Sequence, residues 1–164
     1  MSKFDYDCSK CAAICCIALK FRKIDQFPYD KEQGERCRHL NDKNGCTIHN
    51  ELEQHSCQSC IKFSCYGAGP HIIKCYSKTD WQNDPELTEE LYDKFLFLMA
   101  MFKVAHVTEQ ALINKGLNPK GLLKDFFKMV ATRQKIPKVS DHENSNVFTE
   151  SWNKKMRDWI SKNA

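Results

Sequence analysis

Residues 8–16 read CSKCAAICC, residues 37–46 read CRHLNDKNGC and residues 57–65 read CQSCIKFSC. With Cys75 these stretches hold all ten cysteines of the 164-residue chain, and none follows. So much sulfur needs either an oxidising compartment, where it forms disulfides, or a metal, which thiolates grip as soft ligands. The choice decides the fold of this part of the chain. Residues 22–45 are polar and broken by Pro28, Gly34 and Gly45, so they offer little apolar surface to bury unaided.

The N-terminal MSKFDYDCSK lacks the apolar segment of a secretory signal, so export is not expected and the protein is placed in the cytoplasm. Disulfides do not persist there. Adjacent Cys15 and Cys16 could not bridge each other without strain, which also favours metal. Cys8/Cys11 and Cys57/Cys60 are Cys-x2-Cys pairs, each able to turn two sulfurs onto one ion. A zinc ribbon separates its pairs by about 15–20 residues. Here 45 residues lie between Cys11 and Cys57, so a single simple ribbon is not expected. Consecutive cysteines point to opposite sides of an extended backbone: Cys15 and Cys16 serve two ions, or one ligates while the other packs as a small apolar residue. Ten thiols supply two four-sulfur sites with two left over, or one cluster with an auxiliary zinc. His39 and His49 lie close enough to Cys37 and Cys46 for mixed ligation, but a surface or outer role is expected of them, and of His55 and His71.

The formal net charge of +4 divides evenly between the cysteine-bearing part and the rest. No stretch interleaves basic residues with stacking aromatics, so nucleic acid is not an expected partner. Lys20, Arg22 and Lys23 are read as counter-charge to nearby thiolates. Beyond Trp81 the pattern becomes helical. Asp84 is a good N-cap, Pro85 suits the first helical position and Glu86 the positive end of the dipole. Leu87, Leu91, Phe95, Leu98 and Phe102 continue at helical spacing towards Gly116. Asn118-Pro119 opens a second helix that buries Leu122, Leu123, Phe126, Phe127 and Val130 and that Pro137 ends. A third, short helix follows Thr149, with Trp152, Met156, Trp159 and Ile160 on one face. The longest apolar run, Phe95 to Val107, is 13 residues and falls short of a bilayer, so a buried helix is expected and no membrane. The fold class is therefore mainly α, a small irregular metal-stapled module (residues 1–80) packed on a helical bundle (residues 81–164). Within residues 1–80 a short strand or helix is expected near Cys15, a short helix over 47–54, and a turn at CYGAGP, residues 65–70.

Taken together, CSKCAAICC, GERCRHLNDKNGCTIHNEL and CQSCIKFSC resemble the YkgJ-like cysteine-cluster family, described as zinc- or iron-chelating. A closer resemblance is to the cysteine-rich region that precedes pentapeptide repeats in some bacterial proteins. It is carried by Cys15 through Leu19, Asp30-Lys31 through Gly34, Cys46-x-Ile48-His49 and Cys65 through Gly69, and continues through Asp80-Trp81 and Pro85 into the long helix. It spans roughly residues 8–112, without the repeats themselves. The resemblance implies Cys8, Cys11, Cys15, Cys16, Cys37, Cys46, Cys57, Cys60 and Cys65 as metal ligands, leaves Cys75 out, and implies zinc or an iron–sulfur cluster as cofactor. The flagellin lysine methylases share this cysteine pattern, but no glycine-rich turn for a nucleotide-like methyl donor is found. The expected function is thus metal binding, structural or accessory. Its alternative is an iron–sulfur redox or methyl-transfer component, with Cys15 or Cys16 as a spare reactive thiol. A protein partner or a homodimer engages the helical part in a third expectation, motivated by Trp152, Trp159 and the apolar run. No catalytic residue is singled out.

Overall fold

The computed structural model describes Phe4 and residues 7–163. Helix dominates, and among the described residues no strand forms, only the isolated bridges Phe21 to Lys31 and Leu40 to Cys46. The chain divides into two compact units, Met1–Ile73 and Lys74–Ala164.

The first unit is made of turns. A 3-10 turn, Cys8–Lys10, leads through Ala12 and Ala13 into helix α1, Ile14–Ala18. The region near Cys15 is therefore helix, and Cys15 and Cys16 project from adjacent positions of one helical turn rather than from an extended segment. Residues 47–54 yield only the 3-10 turn His49–Glu51, followed by helix α2, Gln58–Lys62. The CYGAGP turn is shorter than its composition indicates. It ends at Gly67, and helix α3, Ala68–Cys75, takes in Pro70, which is tolerated in a first turn because its missing N–H has no intrahelical partner to lose. The unit also buries more apolar surface than its polar loops suggest. Phe21 stacks on Phe27 with centroids 4.8 Å apart, and both pack with Ile48 and Cys57 beneath Leu19, Tyr29 and Leu52.

In the second unit, helix α4, Pro85–Asn114, starts where its signals lie, with the Asp84 carboxylate accepting from the amides of Glu86 and Leu87. Helix α5 is Lys120–Met129, and helix α6 is His142–Asn163. The last begins seven residues before Thr149. Asp141 accepts from the Asn144 amide at 3.1 Å and starts a helix whose first five residues, His142 to Asn146, are polar, so no apolar stripe announces them. Aromatic rings join the three: Phe102 meets Phe126 at 5.4 Å, Phe126 meets Trp152 at 5.0 Å and Phe97 meets Phe148 at 5.2 Å. Trp152 is fully buried.

By length and composition α4 is long and apolar enough to cross a bilayer, more so than the 13-residue run within it. In this unit it is a core helix that buries Leu91, Phe95, Leu98, Phe102 and Ala105, while Val104 and Val107 stay exposed. It also carries a partly buried polar network. Arg133 forks onto Glu90 at 2.6 and 2.9 Å, Tyr76 donates to the same carboxylate at 2.5 Å, and Lys94 lies 3.3 Å from it while donating to the Arg133 carbonyl. This network ties α4 to the segment before it and the loop after α5.

Candidate metal centre

The backbone beside the cysteines is bent in a way side chains resist. Ala12 and Ala13, between Cys11 and Cys15, have φ of 40° and 52°. Ser56, before Cys57, has φ 56°; Tyr66, after Cys65, has 52°; Asn44, two before Cys46, has 58°. Left-handed geometry costs an L-residue other than glycine roughly 1 kcal/mol or more, least for asparagine. Four of the cysteine-bearing turns are thus held in conformations that local preference disfavours. Gly69 answers a different need: a Cβ there would collide with the sulfur of Cys11, crowd Ile14 at 3.3 Å and touch the sulfur of Cys65 at 3.7 Å. The glycine lets α3 come close to both sulfurs.

The nine candidate ligands fall into two neighbourhoods. In the first, burial pushes the Cys11 thiol up to about 12, with Cys65, Cys8 and Cys16 adding to the effect. Cys8 is raised by partial burial and then by Cys65 and Cys16. Cys15 is raised above all by its hydrogen bond to Cys16, whose sulfur is 3.9 Å away, then by burial and by Cys16, Cys11 and Cys65. In the second, burial pushes Cys60 up to about 12, with Cys16, Cys57, Cys37 and Cys46 contributing. Cys57 is raised by burial and by Cys37 and Cys46, and Cys46 by burial, Cys16 and Cys37. Cys8, Cys11, Cys15 and Cys65 make one group, and Cys37, Cys46, Cys57 and Cys60 the other. Cys16 touches both: it lies beside Cys15, and its carbonyl accepts from the Cys37 amide at 3.1 Å. Hydrogen bonding from Cys15 lowers the Cys16 thiol, helped by Lys31.

Lys31 is the counter-charge that sequence reading placed elsewhere. Lys20 pairs with Glu32 at 2.5 Å, and Arg22 and Lys23 are exposed. Lys31 is 1% exposed, and its ammonium donates to the carbonyls of Ile17, Glu32 and Glu35 at 3.0, 2.9 and 2.6 Å. All three protons have acceptors, which makes a buried ammonium tolerable. Burial lowers its basicity, and Cys37, Glu35, Cys16 and Cys15 act in the opposite direction. Tyr29 also reaches the site, with its hydroxyl 3.1 Å from the Cys37 sulfur. A lysine inside a polar loop looks solvated in sequence; only the Asp30-Lys31 landmark hinted at it.

The histidines next to Cys37 and Cys46 make other contacts or face solvent. His39 lies between the Tyr29 and His55 rings, at 5.9 and 5.7 Å, and His49 is exposed. Cys75 belongs to the second unit, where burial raises it against the opposing charges of Lys74 and Lys94. All ten cysteines are free, and among the described residues no three His, Cys, Asp or Glu side chains are disposed to hold one ion as they stand. The donor chemistry fits a soft metal, and Gly69 leaves Cys11 and Cys65 the space to share one.

No family model matches the chain, and no solved structure does. The chain is similar to the Bacillus subtilis (strain 168) protein named "Uncharacterized protein YybG", with 25% identity over 162 residues that cover 96% of this chain and 56% of that protein.

Proposed function

We propose that this chain is a cytoplasmic metal-binding protein whose first unit is organised by thiolates on zinc or an iron–sulfur centre, with a structural or accessory role. The observation that carries this reading is the placement of left-handed, non-glycine residues beside Cys11, Cys15, Cys46, Cys57 and Cys65. Strain of that kind persists where something stronger over-determines the backbone, and metal–thiolate bonds, worth on the order of 10 kcal/mol for a structural zinc site, are strong enough. Cys8, Cys11, Cys15 and Cys65 would hold one position and Cys37, Cys46, Cys57 and Cys60 the other. Each group closes once its thiol protons leave and the side chains turn to the ion.

Alkylation of native protein followed by mass spectrometry tests this. Metal-loaded protein should protect the eight grouped cysteines, and chelation should expose them together; equal labelling of all ten with and without chelator contradicts the proposal. The ninth thiol favours a second reading, an iron–sulfur redox or methyl-transfer component, because Cys16 exceeds the need of two four-sulfur sites and lies beside Lys31. Brown protein with iron and sulfide supports that reading; colourless protein with zinc supports the first.

A further inference from the structure

We propose that Tyr29 is the outer hydrogen-bond donor that orients and tunes the Cys37 thiolate, and that Arg38 holds its ring in place. This rests on the metal-binding reading of Cys37. The Tyr29 oxygen lies 3.1 Å from the Cys37 sulfur, inside hydrogen-bonding range for a sulfur acceptor. A ligating thiolate has no proton, so the phenol must be the donor. The ring is gripped on several sides: the Arg38 guanidinium carbon is 3.5 Å from its centroid, Phe27 meets it edge-on at 4.6 Å and His39 lies at 5.9 Å. A hydroxyl on so constrained a ring is aimed before any metal arrives. The buried Lys31 ammonium also acts electrostatically on Cys37.

Four thiolates on a divalent ion leave a net negative site, and each hydrogen bond to a sulfur draws off part of that charge. It also fixes the sulfur's lone pairs towards the metal. Loss of such an outer partner weakens metal binding by about tenfold to a hundredfold.

The test substitutes Tyr29→Phe, which keeps the ring and removes the donor, and uses cobalt(II) as a spectroscopic probe and zinc with a chromophoric chelator for affinity. Removing the donor raises the energy of the sulfur lone pairs. The expected result is an unchanged number of cobalt ions per chain, with the sulfur-to-cobalt charge-transfer band of one group moved to lower energy and one zinc equivalent bound about tenfold or more weakly. Arg38→Ala, which keeps the hydroxyl but frees the ring, should move the same band by less. Wild-type protein that binds metal while Tyr29→Phe shows the same spectrum and affinity overturns the assignment and leaves the metal reading intact. Loss of both equivalents together marks Tyr29 as merely structural and overturns it too. Wild-type protein that binds no cobalt overturns the metal reading and this assignment with it.

Discussion

Gly69→Ala asks whether the Cys11 sulfur is pinned. The new methyl group would overlap that sulfur, and it would press on the Ile14 side chain at 3.3 Å. Nothing in the backbone forbids alanine, since Gly69 is not among the positive-φ residues and lies in the first turn of α3. Alanine even gains up to about 1 kcal/mol in helix propensity. The outcome depends on what the sulfur can do. A free thiol is the end of a mobile side chain and swings aside, so the metal-free chain bears little cost. A ligated sulfur cannot move, and overpacking of this kind costs about 1–3 kcal/mol. The propensity gain is common to the free and loaded folds and cancels, so a penalty of about 1–3 kcal/mol falls on the loaded state alone. Zinc affinity should therefore drop about fivefold to 150-fold, measured by chelator competition. In a Cys11→Ser background the same substitution should cost clearly less, because the pinned sulfur is gone. Unchanged affinity for Gly69→Ala, or an equal loss in both backgrounds, would refute the reasoning.

Other consequences can be checked in parallel. The Arg133 fork holds the Glu90 carboxyl near about 2, against burial and with help from Tyr76 and Lys94. A depressed carboxyl stabilises the fold fully above its ordinary value near 4.3 and loses that contribution as pH falls towards 2, so about 3 kcal/mol should disappear across that window in acid denaturation of the second unit. Glu90→Gln should flatten the dependence. Ser56→Gly removes left-handed strain at an exposed position and should raise the unfolding free energy of loaded protein by up to about 1 kcal/mol; a fall would mean that the serine side chain stabilises the turn. Lys31→Met takes the ammonium donor from the Glu35 carbonyl, while the Ile17 and Glu32 carbonyls keep the amides of Gly34 and Glu35, so it should destabilise the first unit by about 1–3 kcal/mol in chemical denaturation. Cys75→Ser should leave metal content unchanged, because Cys75 lies in the other unit.

The helices of the second unit were open to sequence reading wherever capping chemistry and an apolar stripe coincide. Asp84-Pro85 before Leu87 and Leu91 is such a case, and Asn118-Pro119 before Leu122 and Leu123 another. The start of α6 was hidden because Asp141 caps a helix whose first apolar residue is Val147, itself exposed, with only polar residues between. In the first unit, cysteine spacing announced a site but not its grouping. Cys65 joins Cys8 and Cys11 through the close approach at Gly69, while Cys57 and Cys60 join Cys37 and Cys46. Such pairings depend on chain segments meeting across loops, which no local pattern encodes. Lys31 and Tyr29 escaped for the same reason: acceptors from residues 17, 32 and 35, and a sulfur eight residues away, become visible only in three dimensions.

The most direct test is the ratio of metal to chain in folded protein purified without oxygen and under reducing conditions. The account predicts stoichiometric zinc or iron. Protein whose first unit is fully ordered, with its thiols reduced and neither element bound, would contradict it.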